Sequence, residues 1–73
     1  MAKKTSDSVY KIVEVIGTSA TSWEEAGKRA VQSASKTLRD LRIAEVVKMD
    51  MKVDGGKVVA FRTRVLVSFK YDA

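Results

Sequence analysis

The sequence predicts an α+β domain with element order β-α-β-β, a three-stranded antiparallel sheet wrapped around one helix. Two stretches, residues 43–53 and 61–71, alternate apolar and polar residues with the period of two that strands show. Asp54-Gly55-Gly56 stands between them, and such a link is hairpin chemistry. Ahead of both, apolar residues recur from Trp23 onward at spacings of three and four, which marks one face of a helix.

The first element covers residues 9–16, β-branched and apolar with Lys11 and Glu14 as its only charges. It reads as a strand buried on both faces, and Gly17-Thr18-Ser19 is expected to end it. Ser22-Trp23-Glu24-Glu25 fits a capping box, in which Ser22 accepts the Glu25 amide and Glu25 reaches back to Ser22. Both glutamates also suit the positive end of the helix dipole. Trp23, Ala26, Gly27, Ala30, Val31, Ala34, Leu38 and Leu41 then form the buried helix face, with Trp23 as a core or staple residue. Small residues on that face allow the helix axis to lie close to a sheet. In the hairpin, a two-residue Gly55-Gly56 loop would set odd residues against even ones and mix the faces. A three-residue loop with Gly56 left-handed pairs Met49 with Phe61 and Val47 with Thr63, and is expected on that ground. Lys48 then lies opposite Arg62, with Asp50 diagonal to Arg62.

Seventy-three residues make one small domain, expected at residues 9–73 behind a flexible polar tail at residues 1–8. A chain of this length buries only about 60% of the surface its unfolded form exposes. There is no cysteine and no histidine, so disulfides and thiolate or imidazole zinc sites are excluded. One helix covers one sheet face, yet Ile12, Ala44, Val46, Val58 and Leu66 are expected on the other face or at its rim. A marginal domain with a half-apolar second face is expected to be one subunit of a symmetric homo-oligomer.

An enzyme is set aside: histidine, cysteine, a glycine-rich phosphate loop and a serine elbow are all absent. Glu24 and Glu25 are neighbours on a helix and point about 100° apart, so they form no acid–base pair. No run approaches the roughly 20 apolar residues of a membrane span, and no signal-peptide core is present, so a cytoplasmic location is expected. The net charge of +5 is scattered along the chain among acidic residues. Nucleic acid is therefore expected as a partner only nonspecifically, through salt-dependent attraction.

The order of these pieces resembles the dodecin family. The residues that carry the resemblance are the first strand running into Gly17-Thr18-Ser19, the helix from Ser22, Thr37-Leu38 leading to Ala44-Glu45-Val46, and Val65-Leu66-Val67-Ser68-Phe69. The resemblance implies a hollow dodecamer of tetrahedral symmetry that binds flavins in pairs and stores them. Two matching positions depart from that pattern. The family's flavin-stacking tryptophan falls on Ile43, which has no π face, and its flavin-bonding glutamine falls on Arg62, which has donors and no acceptor. A flavin store with an altered pocket thus becomes an alternative, beside an assembly protein with no specific ligand.

Gly17-Thr18-Ser19, Thr21-Ser22-Trp23-Glu24, Asp50-Met51 and Asp54 are similar to a divergent branch of the family, the calcium dodecins of mycobacteria. That similarity implies an oxygen-ligand cation such as calcium. The sequence has no EF-hand run, so several subunits would have to assemble the ion site, with Glu14 and Asp50 as candidate ligands. Cross-strand pairing of Asp50 with Arg62 or Lys48, and of Glu14 with a neighbouring lysine, is the competing expectation. An anionic ligand held where Lys48 and Arg62 meet ranks equally with the cation. The candidate pocket is therefore Ile43, Lys48 and Arg62.

Overall fold

The computed structural model describes residues 9–71; the tail expected at residues 1–8 lies outside them. Strand β1 (Val9–Ser19), helix α1 (Trp23–Ser35), strand β2 (Leu41–Asp54) and strand β3 (Lys57–Tyr71) follow in that order. The strands form one antiparallel sheet in the order β1-β3-β2. The expected α+β, β-α-β-β fold is the fold observed.

The last strand is the central one, so it carries the core. Thr63, Val65 and Val67 of β3 are at most 1% exposed and lie under Ala26, Ala30 and Ala34 of α1. Val13 and Val15 of β1, with Val31, Leu38 and Leu41, close the edges of this cluster. These are small side chains, and little apolar area is removed from water. Ile12, Ile43, Met49 and Val53 remain more than half exposed. A domain of this size gains only a marginal core from such burial.

Gly17-Thr18-Ser19 does not end β1, which pairs without interruption as far as Ser19 opposite Phe61. Its glycine serves the helix instead. A Cβ at residue 17 would lie 1.9 Å from the Ala26 carbonyl oxygen and 2.9 Å from the Ala30 nitrogen. Backbone meets backbone there, and no side chain fits between. Nor is β1 buried on both faces: Ile12 and Ile16 are exposed while Val13, Val15 and Gly17 face the helix. β-branched residues on both sides of a strand mimic the pattern of a central strand, but β1 is an edge.

The helix is shorter than its apolar periodicity suggests. It stops at Ser35, where the Lys36 amide bonds the Ser33 carbonyl and the Thr37 and Leu38 amides bond the Ala34 carbonyl. Ser33, Ser35 and Thr37 favour helices weakly, and Asp40 turns the chain into β2 with a left-handed φ of 57°. Leu38 and Leu41 therefore reach the core from the connection and from β2, not from α1.

The hairpin also differs from expectation. Asp54 pairs with Lys57 across a two-residue loop in which Gly55 and Gly56 have φ of 59° and 77°, as a type I′ turn requires. That loop does set Val53 against Val58, odd against even. A bulge at Val59 then slips the register by one, so that Met51 faces Phe61 and Asp50 faces Arg62. A second bulge at Val47 shifts it again, placing Val46 opposite Val65 and Ala44 opposite Val67. Ala44 and Val46 thus lie on the helix side of the sheet, not on the second face. Among the described residues no helix is long and apolar enough to cross a membrane.

Replacing Gly17 by alanine should force α1 away from β1 and destabilise the protein by about 3 kcal/mol, the scale of an overpacked core. Gly27→Ala meets only the Thr63 methyl at 3.5 Å and should stay within about 1 kcal/mol of the parent. Denaturant unfolding of the two variants checks the contrast.

Candidate functional site

Directly opposed residues of an antiparallel sheet point to the same face, so the register defines the surface turned away from α1. Across β1, β3 and β2 that surface reads Thr18–Arg62–Asp50, then Ile16–Arg64–Lys48, then Glu14–Leu66–Glu45, then Ile12–Ser68–Ile43. Ile43, Lys48, Arg62, Glu14 and Asp50, the residues singled out from sequence, all belong to it. Their neighbours are not those expected. Lys48 stands opposite Arg64, and Asp50 stands directly opposite Arg62 where a diagonal placement was expected.

The Asp50–Arg62 contact is bidentate: Arg62 Nε donates to Asp50 Oδ1 at 2.7 Å and a terminal nitrogen donates to Oδ2 at 2.8 Å. This fork holds the Asp50 carboxyl below the usual carboxylate range and raises the Arg62 guanidinium above its ordinary value. Glu14 Oε2 lies 3.6 Å from Arg64 Nε. Each candidate metal carboxylate is therefore met by an arginine within its own subunit. Ion pairs this exposed contribute little to stability and exchange partners readily. Ile43 borders the charged rows, 61% exposed.

Glu45 was not among the sequence candidates. The Val47 bulge brings it to the face of Glu14, with Leu66 between them. The signal was present in the sequence: Glu45 is the one acidic residue on the otherwise apolar odd parity of residues 43–53, and a bulge between it and Met49 is what a broken alternation implies. Within one subunit, no three acidic side chains among the described residues come together in a cluster able to hold a metal.

On the other side of the sheet, Trp23 ties the start of α1 to two strands. Its indole nitrogen donates to the Asp50 carbonyl at 2.9 Å, its own carbonyl accepts from Thr63 Oγ1 at 2.8 Å, and its ring meets Phe61 edge-on at 5.0 Å. Trp23 is a staple, as its position suggested, and it holds the backbone from which the Asp50 carboxylate projects. The Ser22 cap forms, accepting the Glu25 amide at 3.0 Å. The Glu25 carboxylate does not complete the box. It accepts from Thr21 Oγ1, from Ser19 Oγ at 2.7 Å and from Arg29 at 3.3 Å. The Thr21 hydroxyl first, then Ser19 and Arg29, pull its pKa down from 4.5 to about 2. Because α1 covers β1 and β3, Ala44 and Val46 of β2 stay open. An apolar groove of about 480 Å³ runs there between Trp23, Gly27 and Val31 on one side and Ala44, Val46 and Val65 on the other.

The sequence profile of the family described as Dodecin matches residues 9–72. The chain is 48% identical over 63 residues to the calcium dodecin of Mycobacterium tuberculosis, covering 86% of this chain and 89% of that protein. The crystal structure of that calcium dodecin, described as having a novel calcium-binding site, superposes with a TM-score of 0.78 over 88% of this chain and 91% of the other. A dodecin from Streptomyces coelicolor, 30% identical, superposes with a TM-score of 0.87 over 94% of this chain and 99% of its own.

The Glu25 carboxyl is bound more tightly to its neighbours when ionised, so its contribution to stability is full above its ordinary pKa of 4.5 and is lost as pH falls toward about 2. Thermal unfolding of Glu25→Gln should show a shallower loss of stability across that interval than the parent. Some acid sensitivity should remain, because the Asp50 carboxyl is lowered in the same direction.

Proposed function

The chain belongs to the dodecin family, and on that premise we propose that it is a cytoplasmic, non-enzymatic subunit of a hollow homododecamer that binds calcium on the sheet face turned away from the helix. The similarity to a calcium dodecin at 48% identity carries this reading. The placement of carboxylates supports it: Glu14, Glu45 and Asp50 share one face, unobstructed by α1. Calcium takes six to eight oxygen ligands, more than one subunit brings together, so carboxylates from symmetry-related copies would complete the shell. Glu14 and Asp50 would exchange their arginine partners for the ion, at modest cost because both pairs are partly exposed.

The anionic-ligand reading is less well supported by this geometry. Arg62 turns both Nε and a terminal nitrogen to Asp50, Arg64 is approached by Glu14, and Lys48 is thereby left to meet an anion beside two partly neutralised arginines. A flavin pair fits poorly for a related reason. Ile43 offers no ring to stack against, and Arg62 turns its Nε and one terminal nitrogen to Asp50.

Calorimetric titration of the purified protein with calcium should give saturable heat, and Asp50→Asn should weaken binding at least tenfold. Absence of heat from the parent protein would remove the calcium reading. Quenching of riboflavin fluorescence at micromolar protein would restore the flavin reading in its place. Sedimentation should give a single species near twelve times the 8.1 kDa chain mass; a stable monomer would contradict the shell.

A further inference from the structure

The sheet face that would hold calcium already carries cations. Its rows place Lys48, Arg62 and Arg64 among Glu14, Glu45 and Asp50, three charges of each sign. Arg62 stands directly opposite Asp50 and donates to both of its carboxylate oxygens, at 2.7 Å and 2.8 Å. Arg64 meets Glu14 with one nitrogen at 3.6 Å, and Lys48 lies opposite Arg64.

The two arginines are unequal rivals for an incoming ion. A guanidinium fork matches the carboxylate in plane and spacing, so it holds better than a single long contact. Both ends of the fork are also anchored. Arg62 belongs to the central strand, paired with Thr18 on one side and Asp50 on the other. The Trp23 indole bonds the Asp50 carbonyl at 2.9 Å from the helix side. A cation that takes Asp50 must therefore break two hydrogen bonds. It must then share the face with a displaced guanidinium whose backbone cannot retreat.

We propose that Arg62 is a built-in competitor for the ion, one that occupies Asp50 until calcium displaces it and so sets the calcium concentration at which the face loads. This rests on the calcium reading and adds to it the residue that holds the affinity down. A ligand's apparent affinity falls with the fraction of protein in the competent form, and the competent form here is Asp50 released from its fork. The pair is partly exposed, its side chains 41% and 40% accessible, so the competition is moderate and the ion can win.

Calorimetric calcium titration of Arg62→Gln, beside the parent, should show binding about threefold to tenfold tighter, the scale of one partly exposed charge and its fork. Lys36→Gln removes the same unit of charge from the exposed C-cap of α1. It should leave the affinity within about twofold of the parent, because salt screens a distant charge. Arg62→Lys keeps the charge and loses the fork. Its affinity should fall between the parent and Arg62→Gln, and it serves by itself should the glutamine variant not fold. A parent that binds calcium while neither Arg62 variant binds it more tightly overturns the competitor and leaves the calcium reading standing. An equal gain in Lys36→Gln overturns it too, since net charge would then account for the effect. A parent that gives no heat overturns the calcium reading and the competitor together.

Discussion

The helix of this protein rests on its sheet at backbone distance. Residue 17 has no side chain, and residues 26, 30 and 34 have only methyl groups, so α1 settles directly over β1 and the central strand β3. Most other features depend on that closeness. It buries Thr63, Val65 and Val67 almost completely with small side chains. It brings the first turn of α1 near enough for Trp23 to bond both the Asp50 carbonyl and the Thr63 hydroxyl. It also narrows the cover, because a helix set so low over β1 and β3 cannot shelter β2.

Bulges decide what the uncovered surfaces display. Without the slip at Val59, the two-residue turn would turn the hairpin's residues to mixed faces; with it, Asp50 and Arg62 oppose each other and form their fork. The second slip, at Val47, sends Ala44 and Val46 to the helix side and Glu45 to the other. One extra residue in a strand reverses the parity of everything beyond it. The place of Glu45 on the sheet face and of Ala44 and Val46 in the groove are therefore two consequences of one irregularity.

The ion pairs on the sheet face and the Glu25 cluster play different parts. Glu25 is held by two hydroxyls and an arginine at the mouth of the helix, where the dipole also favours its charge. Its role is to fix the turn from β1 into α1. Asp50 and Glu14 are partly exposed with one arginine partner each. In the proposed shell, assembly and ligand binding would be linked through this face: a subunit short of core would gain stability by association, and association would gather enough carboxylates for an ion.

From the sequence by itself, the element order, the β-α-β-β class, the Ser22 cap, the Trp23 staple and the shortage of core were all legible. Each depends on local pattern: period two, period three to four, a hydroxyl before two glutamates, a short chain. Family membership was legible too, from the order of motifs along the chain. What tertiary structure decided was everything that depends on which backbone lies against which. Gly17 looked like a strand break and is a contact point for the helix. The Gly55-Gly56 turn looked too short for the register, and a bulge four residues away from Gly55 corrected it. Lys48 was expected beside Arg62, and Asp50 stands there instead. A bulge has no residue signature comparable to a cap or a turn, because it is set by how two strands and the layer above them settle their packing together. The fold was therefore written in the sequence, while the chemistry of its open face waited on a shift of one residue.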